Sequence, residues 1–199
     1  MLIIGITGTT GSGKGTVVEY LTKNKNFLHY PVKDFVTKEI KKRKLKVNRE
    51  SMRIVANELR KKNHPSYIVD SLYESAKKDG KNAIIESLRN IGEVKSLQQK
   101  GNFFLFAVDA DPKLRFKRIK LRKSEKDNVT YKEFLEGERK EMQNTDPNKQ
   151  NLKKCIDMAD FRFENNGTIE ELYGKVEKVL DEINSFDEII SFDEIEKTR

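Results

Sequence analysis

The stretch GITGTTGSGKGTVVEYL, residues Gly5 to Leu21, places glycines at 5, 8, 11, 13 and 15 between an apolar run and an amphipathic one. Within it, Gly8-Thr9-Thr10-Gly11-Ser12-Gly13-Lys14 fits the pattern G-x-x-x-x-G-K. The pattern follows a predicted strand, Leu2 to Thr7, and opens a predicted helix at Lys14, which is the context that gives such a match meaning. Glycines let the backbone curl until successive N–H groups point inward around a phosphate. The helix N-terminus adds partial positive charge, and Lys14 brings a full charge toward the β- and γ-phosphates. A glycine-rich turn with a chance lysine is the bland alternative; strand, spacing and helix together argue against it. A nucleotide is the expected ligand, held by Gly8, Thr9, Thr10, Gly11, Ser12, Gly13, Lys14, Gly15 and Thr16.

The residue after such a lysine usually holds Mg²⁺ through a hydroxyl, but here it is Gly15, with Thr16 one place later. The metal is therefore expected to be held mostly through waters and nucleotide oxygens. Mg²⁺ keeps its waters readily, so the arrangement is chemically easy.

The bulk numbers bound the rest. A chain of 199 residues is long enough for one domain with a sizeable core. Apolar and charged residues each make up 36%, which implies a lean core under a heavily solvated surface. No apolar run reaches the length of a membrane span, and Met1 to Gly5 is too short for a signal peptide, so a cytoplasmic protein without membrane contact is expected. A single cysteine, Cys155, excludes an internal disulfide and suits a reducing compartment. The net charge of +8 fits either a nucleic-acid or membrane partner or a lysine-rich surface around a site for phosphorylated small molecules. The densest run, KEIKKRKLK from Lys38 to Lys46, has apolar residues at helix-like spacing and no interleaved aromatics, so nucleic acid is the less favoured partner.

Five short apolar runs read as strands: 2–7, 26–30, 82–86, 103–110 and 161–165. Helical patterns start from Lys14, Asp34, Arg49, Ser66, Gly92, Pro112 and Thr168. Nearly continuous apolar strands alternating with helices predict an α/β fold, a five-stranded parallel sheet with helices on both faces. Residues 1–184 are expected to form one domain. Residues 185–199 are an acidic tail containing a local duplication, Ser185–Ile189 and Ser191–Ile195, read as a helix extension or an interaction tag.

The GKGT ending of the loop resembles that of adenylate kinase and related nucleoside monophosphate kinases, and the resemblance covers roughly residues 2–184. It implies a P-loop three-layer fold with a small lid at about 123–145, in which Lys126 to Met142 move. Asp34 matches an acidic residue that opens the acceptor-binding helix, with Lys33 in place of a glycine and Thr37 in place of an arginine. Glu86, followed by Ser87-Leu88-Arg89, resembles the second nucleotide motif. The carboxylate would orient the waters around Mg²⁺ and Arg89 would hold the acceptor phosphate. A strand-end ion pair is the plainer reading of Glu86. In the helix from Pro112, Arg118 matches the arginine that packs on adenine and Arg122 one that meets phosphates. Arg139 would be a second arginine reaching in from the lid. A solvated basic face is the plainer reading here too. Ala159 to Leu172 is similar to the last strand and turn of dephospho-coenzyme A kinases, where the backbone at Asn166-Gly167 reads adenine. Thr168 and Glu171 also read as a helix capping box.

The leading functional reading is an ATP-dependent kinase, monomer or homodimer, acting on a nucleotide or nucleotide-like acceptor. Lys14, Glu86, Arg89, Arg122 and Arg139 would surround the transferring group, and Thr16 and Glu86 would reach the metal through water. A phosphate acceptor needs no general base; for a hydroxyl acceptor Asp34 is the candidate. The alternative is a nucleotide-gated RNA- or protein-binding ATPase.

Overall fold

The central apolar runs become strands because the sheet is buried there on both faces, whereas the edge runs at 28–31 and 161–164 keep exposed residues. The computed structural model describes residues 1–122 and 129–196, the side chains of 186–196 excepted. The strands are β1 (Ile3–Gly8), β2 (Leu28–Pro31), β3 (Ala83–Glu86), β4 (Phe103–Asp109) and β5 (Phe161–Glu164). They pair in the order β2-β3-β1-β4-β5, and every pairing is parallel. All six residues of the central strand β1 are buried, as a run apolar on both faces requires. The expected strand limits hold to within two residues, and so does the fold class.

Nine helices lie among the described residues: α1 (Lys14–Lys25), α2 (Val32–Lys42), α3 (Arg49–Lys62), α4 (Tyr67–Asp79), α5 (Ile91–Gln98), α6 (Pro112–Leu121), α7 (Tyr131–Met142), α8 (Leu152–Asp157) and α9 (Ile169–Glu196). Several begin where a short polar side chain satisfies the first free N–H groups. Asn48 and Ser51 cap α3 reciprocally at 2.8 and 3.0 Å, and Asp111 caps α6 just before Pro112. Asn90 with Glu93 and Thr130 with Glu133 form the same reciprocal box at α5 and α7. The helix α1 has no such cap. Its cap position is Gly13 in the left-handed region at φ 104°, so its leading N–H groups belong to the glycine loop.

Residues 1–166 and 167–199 form two compact units. In the first, one face of the sheet (Ile3, Ile85, Leu105) joins Val36 and Ile40 of α2, Val55 and Leu59 of α3, and Ile68, Val69 and Leu72 of α4 in a single apolar cluster. Cys155 lies in that cluster with no exposure, and burial, assisted by Glu93, pushes its thiol up to about 12. It is packing, as the absence of metal-ligand spacing around it suggests. On the opposite face α1 contacts β1, β2 and β3.

The second unit is dominated by α9. Its buried residues Leu172, Val176, Leu180 and Ile183 recur every three to four positions, and Thr168 Oγ1 accepts from the Glu171 N–H at 3.2 Å. The helix crosses position 184 without a break and carries both copies of the duplicated segment. No described helix is long and apolar enough to cross a membrane.

Two helices had no counterpart among the sequence patterns. The lid expected at 123–145 contains α7, while its residues 123–128 lie outside the described residues. The short α8 follows it.

Candidate active site

The crossing from β1 to β2 passes over β3, whereas the chain reaches β4 on the other side of β1. The strand order therefore reverses at β1, and a crevice opens at the carboxyl ends of β1, β3 and β4. The glycine loop fills that position. Gly8 has φ 133°, and a Cβ there would lie 2.0 Å from the Val108 carbonyl oxygen, so only glycine fits. Gly11 and Gly13, at φ 83° and 104°, continue the curl. Side chains then hold the loop from three directions. Thr9 Oγ1 donates to Asp109 Oδ1 at 2.5 Å, Asn165 Nδ2 donates to the Ser12 carbonyl at 2.8 Å, and Arg115 donates to the Thr10 carbonyl at 3.3 Å.

Lys14 is 8% exposed and folds back over the loop, its Nζ donating to the carbonyls of Gly8 and Thr9 at 2.9 and 2.7 Å. Burial, followed by the charge of Arg89, lowers its pKa to about 7, with Glu86 and Glu141 opposing and Arg122 assisting. An ammonium so destabilised responds strongly to any anion brought beside it.

Glu86 ends β3 and lines a cleft of about 460 Å³ together with Thr10, Lys14, Thr16, Arg89 and Arg122. Burial pushes its carboxyl up, but the hydrogen bond and charge of His29, with Lys14 and Lys33, more than offset this and hold it below the ordinary carboxylate range. His29 Nε2 lies 3.0 Å from Glu86 Oε2. Ser87 follows at φ 74°, a strained value for a residue with a side chain, and its N–H donates to the Ile6 carbonyl at 2.8 Å.

A buried ion pair sets the next turn. Glu93 Oε2 accepts from the backbone N–H groups of Arg89 and Asn90 at 3.0 and 3.1 Å, and its Oε1 accepts from Arg60 Nε and Nη2 at 3.0 and 2.7 Å. The two side chains are 1% and 0% exposed. The guanidinium of Arg89 pairs with Glu141, and Arg115 pairs with Glu138 on the same helix, α7. Phe134, Glu138 and Glu141 thus form the face of α7 that meets these two arginines, Arg115 lying 5.5 Å from the Phe134 ring centroid.

A second pocket, about 240 Å³, adjoins the cleft. Lys33 and Val36 of α2, Met52, Arg53 and Ala56 of α3, and Gln150 contribute to its lining. Thr10, Ser87 and Arg89 line both cavities. A larger hollow of about 920 Å³, beside the start of α5, shares no residue with the glycine loop.

Most of the expected site residues converge here. Gly11, Gly13, Lys14, Gly15, Thr16, Glu86, Arg89 and Arg122 line one cleft. Others lie elsewhere. Asp34 is exposed in the first turn of α2 and lines neither cavity, whereas its neighbour Lys33 lines the second. Arg139 is exposed on another side of α7 from Glu138 and Glu141. Arg118 has a buried Nη1 without a hydrogen-bond partner, and burial, then Arg122, lowers its pKa. Asn166 Oδ1 accepts from the Asp111 N–H at 2.8 Å, while Gly167 begins the second unit, where a Cβ would collide with the Glu171 carboxylate. The sequence reading missed His29, Glu93 with Arg60, Glu141, Gln150 and Asn165. Glu93 carried a local signal, as the third residue after the capping Asn90, and Asn165 lay within the 159–172 segment already singled out. Among the described residues no group of three or more His, Cys, Asp or Glu gathers to cage a metal.

Residues 4–146 match the AAA_18 family, an AAA domain. A UPF0200 protein of Thermococcus kodakarensis is 30% identical over 190 residues, spanning 92% of this chain and 99% of that one. Among solved structures, a gluconokinase from Sinorhizobium meliloti superposes with TM-score 0.58 at 10% identity, over 96% of this chain and 97% of that one. A shikimate kinase from Aquifex aeolicus superposes with TM-score 0.51 at 16% identity, over 93% and 99%. At such identities the likeness speaks for the fold, a P-loop kinase-like α/β sheet. By its sequence the chain belongs to the UPF0200 family and, through residues 4–146, to the AAA-domain family of P-loop proteins.

Proposed function

We propose that this protein is an ATP-dependent small-molecule kinase that transfers the γ-phosphoryl group to a nucleotide-like acceptor, in the manner of a nucleoside monophosphate kinase. The observation that carries the reading is the shared wall: the phosphate cleft and the second pocket meet at Thr10, Ser87 and Arg89. A nucleotide-gated binding protein needs only the cleft. A kinase needs a donor site and an acceptor site in line, with a cation between them.

In this reading the backbone N–H groups from Gly11 to Thr16 and the Lys14 ammonium hold the donor phosphates. Arg89, released from Glu141, follows the charge as it moves from donor to acceptor, and Arg122 neutralises it from the cleft side. Arg118, with its partnerless Nη1, packs on the adenine, and the Asn166 backbone adds a contact there. The residues fit Mg²⁺ as well: Glu86 is ionised, Thr16 offers a hydroxyl in the same cleft, and neither is part of a protein cage. When bound, Mg²⁺ would neutralise phosphate charge, with Glu86 and Thr16 orienting its waters. Asp34 stands outside both cavities, which favours a phosphate acceptor that needs no general base over a hydroxyl acceptor. The structural neighbours, a gluconokinase and a shikimate kinase, agree with small-molecule phosphorylation. The resemblance of the GKGT loop to that of adenylate kinase and related nucleoside monophosphate kinases supports a nucleotide-like acceptor.

The test is to incubate the protein with γ-labelled ATP, Mg²⁺ and candidate acceptors, and to look for label in a new phosphate compound. Label found only in inorganic phosphate, with RNA accelerating its release, would favour the ATPase reading instead.

A further inference from the structure

We propose that His29 is a positioning residue for the carboxylate of Glu86, holding one oxygen of that side chain and leaving the other for the waters of nucleotide-bound Mg²⁺. The inference rests on the reading of Glu86 as the group that orients those waters.

The placement follows from the sheet. Strands β2 and β3 pair in parallel, with His29 opposite Ile84 and Pro31 opposite Glu86. Side chains alternate between the two faces along a strand, so His29, Ile84 and Glu86 share one face, and His29 stands one diagonal step from Glu86. Its Nε2 lies 3.0 Å from Glu86 Oε2. An ionised carboxylate only accepts, and that of Glu86 is held below the ordinary range, so the imidazole Nε2–H is the donor.

The main chain beside Glu86 is fixed, because the N–H groups of Ser87 and Leu88 both donate to the Ile6 carbonyl, at 2.8 and 3.1 Å. The side chain depends on His29. Among the described residues His29 is its one hydrogen-bond and ion-pair partner, and Oε1 has none. Lys14 and Lys33 act on it through charge alone, and the Lys14 ammonium already donates to the carbonyls of Gly8 and Thr9. Without His29 the carboxylate is free to turn about its side-chain torsions or to close on Lys14, the cation that the donor phosphates need. With it, one oxygen is tied to β2 and the other stays unpaired, in a side chain that lines the phosphate cleft.

Carboxylates at metal sites are commonly fixed by a hydrogen-bond partner of their own, and losing that partner weakens the metal by about 10–100-fold. A surface ion pair is the plainer role for a histidine 30% and a glutamate 20% exposed. The two roles make different demands. An ion pair needs charge, whereas a positioning bond needs a donor at the place of Nε2.

The experiment loads the full chain with β,γ-imido ATP, which transfers no phosphate, and titrates it with Mn²⁺ as a paramagnetic stand-in for Mg²⁺. Free Mn²⁺ is read by electron paramagnetic resonance. His29→Phe should weaken the metal about tenfold while the analogue's affinity in EDTA stays within about twofold of wild type. His29→Ala should do the same, which covers a ring that the edge strand does not accept. His29→Gln keeps an uncharged N–H donor at that place and should stay within about threefold of wild type. In a Glu86→Gln background His29→Phe should have no further effect, since the histidine acts only through that carboxylate. Five results would each overturn the proposal: a wild-type complex that holds Mn²⁺ no better than the free analogue, unchanged metal affinity in His29→Phe and His29→Ala, a His29→Gln as weak as they are, an equal loss of metal-free analogue affinity, or a full further loss in the Glu86→Gln background. Its fate is separable from that of the kinase reading. Weakened metal in His29→Phe without label transfer to any acceptor supports His29 and removes the kinase. Label transfer by wild type, with metal affinity untouched in both variants, does the reverse.

Discussion

The phosphate cleft and the pocket beside it are built from different materials. The cleft is mostly main chain: three glycines with positive φ, helix-end N–H groups and one lysine folded onto two carbonyls. The pocket is mostly side chain, drawn from α2, α3, α7 and the segment before α8. Main-chain recognition suits a ligand group that never varies, such as a triphosphate. Side-chain recognition can change one residue at a time, which suits the acceptor on which relatives of one fold differ.

The sharpest way to break this comparison is at Lys14. Lys14→Ala should lower kcat by about 10²–10³-fold, the scale of losing one charged stabiliser of a transferring group, while circular dichroism stays unchanged. Near-normal turnover would remove the cleft from the chemistry.

The pocket side is tested through the ion pair behind it. Glu93→Ala leaves Arg60 charged and buried, and should cost about 3–5 kcal/mol in urea unfolding. The double change Arg60→Met with Glu93→Leu should recover most of that stability. It should not recover acceptor turnover, because the backbone of Arg89 and Asn90 stays without its carboxylate. Full recovery of both would make the pair a packing device only.

These two sites also differ in how far the sequence disclosed them. The strands and the loop were readable because their signals are local: apolar runs of four to eight residues, and nine consecutive residues from Gly8 to Thr16. Glu86 and Arg89 were readable because they follow an apolar strand directly. The pocket was readable only in part, at Arg89 and at the start of α2. Lys33, Arg53, Glu141 and Gln150 are brought together from across more than 100 residues, and no periodicity marks them. Helix α7 shows the same limit at smaller scale. Its arginine drew notice, yet its glutamates at 138 and 141 meet the partners, because position in a helical turn decides which face a residue takes. His29 escaped because its pairing with Glu86 depends on β2 lying beside β3, which sequence order does not reveal.

A gentler probe uses the lowered pKa of Lys14. With a folded value of about 7 against an ordinary 10.5, the unfolded chain binds the extra proton more tightly, so this group makes stability rise with pH from about 7 toward 10.5. Bound triphosphate restores the charged form. ATP binding should therefore take up nearly one proton at pH 8 and much less at pH 6, read from calorimetric enthalpies in buffers of different ionisation heat. Lys14→Ala should abolish the uptake.

The smallest effect is expected at Gly15, where a Cβ meets nothing within 4 Å. Gly15→Ala should leave the free protein as stable as before, or raise its stability by up to about 1 kcal/mol through helix propensity. A loss of ATP affinity in that variant would then report crowding by the nucleotide alone. A thermal melt and an ATP titration together check both statements.

The central claim is that two adjoining sites serve donor and acceptor separately, and Arg53 tests it most directly because it lines the second pocket and not the phosphate cleft. Steady-state kinetics with γ-labelled ATP and the best acceptor should be measured for wild type and Arg53→Ala. An acceptor KM raised at least tenfold with the KM for ATP unchanged is expected. Equal changes in both constants, or a variant indistinguishable from wild type, would contradict it.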